Sequence, residues 1–422
     1  MKQFIFKSYK FDKVSSMAVF EYSFENGVDF QETVKFEKCK QYNEDVLNQA
    51  LFLAFVLIGT GYYKAFPSPT VNLDIPIDEW QAGFFDKVYQ EGLSQFAFEN
   101  NLTRDELAHF KATISESNGP SDYNGHGNLV LQSGGKDSLL TASLLQEKNI
   151  DFSSWYVSSS EYHPKLLDRV GSKLVINTRL IDKDGLQNAS EVDAMTGHIP
   201  ITYIIQSLAV VQAVLLGKKD ILMSIAHEGE EPYGYIDDLV VSHQWSKTWA
   251  AEDAFSEYVS RYISPNLRIG SPIRCYSELR VAELFVEHSW SKYGREFSSC
   301  NVANYKQGKD NSNLQWCGDC SKCANSYLLF APFLPAEELT NIFGGQDLFN
   351  KPSLITTFKG LLGVEGVNKP FECVGETDEL RIAYHLAQRK GVYQSLPFDV
   401  PESSFDRMKT YPAQDWAVKM LG

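Results

Sequence analysis

The six residues Ser133-Gly134-Gly135-Lys136-Asp137-Ser138 lie between the apolar run Asn128-Leu129-Val130-Leu131 and a helix-like stretch from Leu139 to Leu145. Paired glycines let the chain turn tightly and bring its N–H groups against an anion with no Cβ in the way, and the start of a helix adds the positive end of its dipole. Ser133 and Ser138 supply hydroxyl donors, Lys136 a mobile cation, and Asp137 an oxygen for a hydrogen bond or for Mg²⁺. The chemistry these residues suit is pyrophosphate binding at a strand-to-helix turn. No G-x-x-x-x-G-K-[ST] occurs in the chain, so the loop is not of the Walker type.

Cys317-Gly318-Asp319-Cys320-Ser321-Lys322-Cys323 spaces three thiols two residues apart, with Cys300 upstream. Such turns bring sulfurs within reach of one ion, and a fourth thiolate completes a tetrahedral, closed structural Zn²⁺ site. An iron–sulfur cluster is the rival occupant of this spacing. A second polar concentration follows the strand-like Ile221-Leu222-Met223-Ser224: it holds His227, Glu228, His243, Gln244, Ser246 and Lys247. His227 and His243 are candidates for proton transfer, Lys247 for holding a phosphate or carboxylate, and Glu228 for Mg²⁺. His198 reads equally as a cap, a core residue or a ligand contact. Arg274 suits a carboxylate clamp by its chemistry and a salt bridge by default. Cys373, flanked by Glu372 and Glu376, is a candidate for acid–base work at a carbon acid, against the plain reading of a small buried hydrophobe.

Positioning these groups requires strands whose carboxyl ends converge. From residue 127 onward, strand patterns at Asn128 to Leu131, Ser153 to Val157, Lys173 to Ile176 and Asp220 to Ser224 alternate with helical ones at Asp137 to Glu147, His163 to Val170 and Ile199 to Leu216. This alternation predicts an α/β, doubly wound parallel sheet with ligands beyond the strand ends. Before it, period-two patterning in the first forty residues predicts a β-meander, followed by helices over Asn43 to Tyr63 and Glu79 to Phe98. The polar, Gly-containing stretch Ser115 to Gly127 reads as a linker. Three units are expected: an N-terminal α+β domain over 1–122, a sheet domain over 123–335 carrying a zinc knuckle at 300–323, and a mostly helical region over 336–422.

Composition bounds the partners. The 422 residues are 43% hydrophobic, enough for a sizeable core, and 39 basic against 54 acidic residues give a net charge of −15. That charge disfavours a nucleic-acid partner, a tRNA substrate included. The apolar stretches Ala50 to Tyr63 and Ile199 to Gly217, the second interrupted by Gln206, Ser207 and Gln212, read as core helices and not as membrane spans. The opening Met1-Lys2-Gln3-Phe4-Ile5-Phe6-Lys7 lacks the pattern of a signal peptide, and the thiols at metal-like spacing suit a reducing compartment. A cytoplasmic protein acting on a small molecule is expected.

The Ser133 to Ser138 loop resembles the SGGxDS loop of the N-type ATP pyrophosphatases (PP-loop superfamily), which cleave ATP between the α- and β-phosphates to adenylate a substrate oxygen. With the cysteines downstream it is similar to the 7-cyano-7-deazaguanine synthase branch, although the interval from Cys300 to Cys317 is longer than that branch's. Five stretches in order, Leu129 to Ser138, Ser242 to Lys247, Ser299 to Asn301, Trp316 to Cys323 and Lys369 to Glu376, together resemble the bacterial UDP-N-acetyl-alpha-muramoyl-L-alanyl-L-glutamate epimerases. Ser246-Lys247-Thr248-Trp249 stands where Ser-Lys-Ser-Leu is usual. The resemblance spans residues 128 to 385 and implies a PP-loop fold and an ATP- and Mg²⁺-dependent inversion of the terminal L-glutamate of UDP-muramyl dipeptide, with release of AMP and pyrophosphate. It casts Ser133, Gly134, Gly135, Lys136, Asp137 and Ser138 as the nucleotide site, and His227, His243, Lys247 and Cys373 as acid–base candidates. Glu228, Gln244, Ser246 and Arg274 become substrate contacts, and Cys300, Cys317, Cys320 and Cys323 ligands of structural zinc. The competing readings are an adenylating ligase or nitrile-forming enzyme of the same superfamily, and a nucleotide- and zinc-binding module without turnover.

Overall fold

The computed structural model describes residues 3–38, 42–117, 119–160, 162–305 and 310–422. Asn118 of the expected linker and Cys39 fall outside these. Strands β1 (Phe4–Asp12), β2 (Met17–Phe24) and β3 (Asp29–Lys35) form the antiparallel meander. Helix α1 (Glu44–Tyr63) is capped by Asn43, whose side chain accepts from the N–H groups of Asp45 and Val46. Its 20 residues are long and apolar enough to cross a membrane, longer than the apolar core visible in the sequence, yet the helix is mostly buried inside the protein. After β4 (Val71–Leu73) come α2 (Glu79–Gln90) and α3 (Ser94–Glu99), where one continuous helix was expected. The break falls at Gly92, where a Cβ would lie 2.3 Å from the Val88 carbonyl and 3.2 Å from the Pro200 ring.

Beyond the linker the chain alternates β5 (Asn128–Leu131), α4 (Lys136–Glu147), β6 (Phe152–Ser158), β7 (Lys173–Leu180), α5 (Lys183–Ser190), α6 (Ile201–Leu216) and β8 (Asp220–Leu222). A hairpin of β9 (Gly234–Ile236) and β10 (Leu239–Val241) leads to α7 (Trp249–Tyr262) and β11 (Arg268–Gly270). The rest is helical: α8 (Glu278–His288), α9 (Trp290–Tyr293), α10 (Asn301–Asn304), α11 (Ser321–Phe330), α12 (Ala336–Ile342), α13 (Ile355–Leu361), α14 (Thr377–Gln388) and α15 (Asp415–Leu421). The helix expected over His163 to Val170 is only a short 3₁₀ turn, Lys165–Arg169, bounded by Pro164 and by Val170 in extended conformation.

Among the described residues one sheet of nine strands, in the order β11-β8-β5-β6-β7-β3-β2-β1-β4, runs through the molecule. It is mixed where a purely parallel sheet was expected: five neighbouring pairs are parallel, and the three involving β3 or β2 are antiparallel. The join is β3 against β7, Thr33 to Lys35 opposite Thr178 to Leu180. Strand β7 runs past Ile176, and β3 covers the edge it would otherwise leave open. A buried ion pair pins this seam: Arg179 Nε and Nη2 donate to the two Glu32 oxygens at 2.6 and 3.1 Å, and the Tyr62 hydroxyl donates to the same carboxylate at 2.8 Å. Both faces of the parallel strands are covered. Leu129, Trp155 and Ile221 join the apolar cluster containing α1 and α6, while their neighbours Val130, Tyr156 and Leu222 join the one containing α4, α8, α11 and α14. Strand order reverses about β5, and the crevice beyond the carboxyl end of such a strand is the usual ligand position in open α/β sheets.

Candidate active site

Gly134 turns the chain beyond β5 with φ +79°, a conformation that strains any other residue, and a Cβ there would come within 2.4 Å of Leu314. The loop braces itself: the Ser133 N–H donates to Ser138 Oγ, the Gly135 N–H to Ser133 Oγ, and the Ser138 hydroxyl to the Gly135 carbonyl, each at 3.3 Å. Gly135 is the N-cap of α4 and offers no side-chain acceptor, so the first-turn N–H groups are left for an anion. A cavity of about 280 Å³ opens there, walled by the loop, the first turns of α6, the end of β8, and α11.

Charges are paired across this cavity. Lys136 Nζ donates to Asp137 Oδ1 and Glu278 Oε2, both at 2.8 Å, and Lys247 Nζ to Glu228 Oε2 at 3.1 Å. Burial opposes the charge on Lys136, but Asp137 and Glu278 outweigh it and hold the ammonium well above the usual lysine range. Lys247 is raised in the same way, its burial outweighed by Cys373 and Glu228. Burial pushes the Glu278 carboxyl up to about 7; Lys136 opposes the rise, while Asp137 and Glu228 add to it. Glu228 remains below the usual range: burial works against its charge, and Lys247 and Lys136 overcome it.

Cys373 lines this cavity and a small adjoining pocket that also holds Glu228, His243 and Gln244. The turn carrying it is held by Tyr233, whose hydroxyl donates to the carbonyls of Pro370 at 2.9 Å and Glu372 at 3.2 Å. Cys373 Sγ is 3.9 Å from His243 Nε2. His243 Nδ1 donates to Gln95 Oε1 at 2.5 Å, and Gln95 Nε2 in turn donates to Glu99 at 2.7 Å, which fixes both the tautomer and the amide orientation. Burial lowers His243 to about 4, so the ring is neutral with its Nε2 lone pair toward the thiol. His198, 4.7 Å away ring to ring, is pushed down to about 3, first by burial.

Other expected site residues lie off the cavity. His227 stacks on Tyr411 with ring centroids 3.5 Å apart, 3.9 Å from Glu376, and burial lowers it to about 4. Arg274 is fully buried, pairing with Glu252 at 2.9 Å and donating to the Ala226 carbonyl at 2.8 Å. Ser246 is buried in the turn Trp245–Lys247.

The four cysteines come together, with sulfur separations of 3.7 Å for Cys300–Cys320, 3.7 Å for Cys317–Cys323 and 3.5 Å for Cys320–Cys323. A tetrahedron with Zn–S bonds of about 2.3 Å has edges of about 3.8 Å, so the cluster fits one metal ion. Cys320 is also the N-cap of α11, whose Lys322, Asn325 and Ser326 line the main cavity. The cysteine cluster and the Ser133 to Ser138 loop therefore share a wall.

Glu278, Gln206, Thr202, Lys322, Asn325, Ser326 and Gln95 escaped the sequence reading. A signal existed for those on α6 and α11: polar residues spaced i, i+3 and i+4 on otherwise apolar helices, at 322, 325 and 326 and again at 202 and 206. Glu278 and Gln95 carry no such mark, because only the packing of α8 and α3 brings them in.

Comparison with known proteins adds an independent line. The family model described as the MurL N-terminal domain matches residues 1–271, and that of the MurL C-terminal domain matches residues 296–403. The chain is 33% identical over 380 residues to the UDP-N-acetyl-alpha-D-muramoyl-L-alanyl-L-glutamate epimerase of Xanthomonas oryzae pv. oryzae, covering 88% of this chain and 82% of the relative. It is 30% identical to the enzymes of the same name from Salinispora tropica, over 94% of this chain and 87% of the relative, and from Micromonospora sp., over 97% and 93%.

Proposed function

This chain belongs to the MurL family, the UDP-N-acetyl-alpha-D-muramoyl-L-alanyl-L-glutamate epimerases of peptidoglycan precursor synthesis, and from that premise we propose how it inverts the glutamate. ATP binds in the Ser133 to Ser138 loop, and the α-carboxylate of the terminal L-glutamate attacks the α-phosphorus, forming an acyl-adenylate and releasing pyrophosphate. A free carboxylate resists loss of the adjacent proton because the product is a dianion. Esterified to AMP, it becomes an electron sink and the α-proton can be removed by a side chain. Hydrolysis after reprotonation releases AMP and the D-glutamyl product. The carboxylates of Asp137, Glu278 and Glu228 are the groups that would hold Mg²⁺, which neutralises phosphate charge when bound. The four cysteines suit structural zinc. ATP use and reduced thiols fit the cytoplasm.

The observation that carries this reading is that one cavity joins the phosphate loop to Cys373, whose thiol faces a neutral histidine. Cys373, as the thiolate opposite the Lys247 ammonium, accepts the α-proton, and the thiol that results hydrogen-bonds to the neutral His243 Nε2. Lys247, held by Glu228, returns a proton to Cα. His227 and Arg274 support the site from outside it.

Incubation with ATP, Mg²⁺ and the L,L-dipeptide nucleotide in D₂O tests this. Deuterium enters the α-carbon of glutamate, and Cys373→Ser slows that entry by about 10²–10⁴-fold while AMP release with the same substrate persists. AMP release without deuterium entry in the unaltered enzyme overturns the epimerisation through the adenylate and favours the ligase reading.

A further inference from the structure

Helix α6 buries three polar side chains, Gln206, Ser207 and Gln212. Two are satisfied within the protein. The Ser207 hydroxyl donates to the Ile204 carbonyl at 2.8 Å, and Gln212 Oε1 accepts from the Glu37 N–H at 2.8 Å and from Asn177 Nδ2 at 2.5 Å. Gln206 is only 1% exposed, and neither its amide oxygen nor its amide nitrogen has a partner among the described residues. It lines the main cavity, as do Gln132 and Ser224, whose Oε1 and Oγ are likewise unpartnered. Leu131, Ile205 and Met223 are apolar residues of the same lining. A buried amide left without partners is unfavourable, whereas an apolar side chain of the same size is not, so the amide makes physical sense where a ligand completes it.

We propose that Gln206 is a specificity-determining residue that reads a planar group presenting a hydrogen-bond donor beside an acceptor, with apolar side chains against its faces. The inference rests on the two-substrate reading above, because that chemistry has two sources there: the base edge of ATP, or the base edge of the acceptor's UDP group. The side-chain oxygen accepts from the ligand's N–H and the side-chain nitrogen donates to its neighbouring acceptor.

The test is steady-state kinetics of Gln206→Met, with each substrate varied in turn. Two neutral hydrogen bonds lost together raise one KM by about tenfold or more. A rise confined to ATP assigns the nucleotide base, and a rise confined to the dipeptide nucleotide assigns the acceptor. Both KM values unchanged within twofold overturns the proposal. Thermal unfolding is followed in parallel: the variant is at least as stable as the parent, since an unpartnered polar group is removed. Should it not fold, Gln206→Leu serves with the same readout. Turnover by the unaltered enzyme is measured first, and its absence counts against the two-substrate reading and not against Gln206.

Discussion

Replacing Glu379 with Gln tests the buried carboxyl that ties α14 to the start of α8. Glu379 is 1% exposed and accepts a hydrogen bond at 2.6 Å from the Leu279 N–H in the first turn of α8, beside the Glu278 that holds Lys136. Burial, opposed by that bond and reinforced by Glu278, pushes its carboxyl from an ordinary 4.5 to about 8. The folded protein therefore keeps the proton to a higher pH than the unfolded chain, and stability falls as pH rises from 4.5 to about 8, then levels. At about 1.4 kcal/mol per pH unit the span amounts to roughly 5 kcal/mol, a ceiling reached only if the ionised carboxylate stays dry. Glutamine retains the acceptor oxygen for Leu279 and has nothing to ionise. The advantage of Glu379→Gln over the parent should be near its minimum at pH 5 and grow by several kcal/mol by pH 9, measured by urea unfolding of both proteins at each pH. Taking the difference removes titrations common to the two, including that of Glu376, also raised to about 7. Parallel pH profiles for the two proteins would falsify the raised Glu379 carboxyl.

Two further perturbations address the loop and the metal cluster. Lys136→Met lowers AMP formation by about 10²–10³-fold, the effect of losing a fixed charge at a developing anion, with the fold retained because Glu278 already titrates near 7 and takes up a proton; normal turnover would remove the loop from the chemistry. Cys320→Ser loses bound zinc and lowers the unfolding temperature together, and raises KM because α11 carries Lys322, Asn325 and Ser326 into the cavity; full metal content with unchanged stability would show that the thiols are not ligands.

The strand-to-helix turn and the gathering of the cysteines were legible because both are local in sequence: six adjacent residues make the turn, and three of the four clustered thiols lie within seven residues. The β5 and α4 boundaries follow from the same locality. The sheet's extension was not legible, because three residues of β3 pairing with β7 depend on a contact about 145 residues distant in sequence. β11 is only three residues long and carries no periodicity. Among the polar residues that follow β8, sequence proximity grouped His227 with Glu228, whereas the backbone directs the first toward Tyr411 and the second into the cavity. Gln95 shows the same limit from the other side: an ordinary polar residue in the N-terminal part acquires a role only through its hydrogen bond to a histidine 148 positions later.

The charges on the cavity wall lead to a last expectation. Lys136, Lys247 and Lys322 line the cavity with Asp137, Glu228 and Glu278, so the lining is close to neutral, and Lys136 and Lys247 are already committed to carboxylates. A triphosphate brings several negative charges into this space. If Lys136 turns to the phosphates, Asp137 and Glu278 are left facing each other and the nucleotide, a like-charge arrangement that burial makes severe. A divalent cation taken up with the nucleotide restores balance by occupying the carboxylates as the lysine leaves them. Nucleotide affinity should therefore fall by more than about tenfold when Mg²⁺ is withheld, and Glu278→Gln should weaken that dependence, since it removes one of the charges the cation must offset. Calorimetric titration with a non-hydrolysable ATP analogue, with and without Mg²⁺, measures both effects. Equal affinity in the two conditions would mean that the lysines suffice and that the carboxylates serve only to hold Lys136 in the free enzyme.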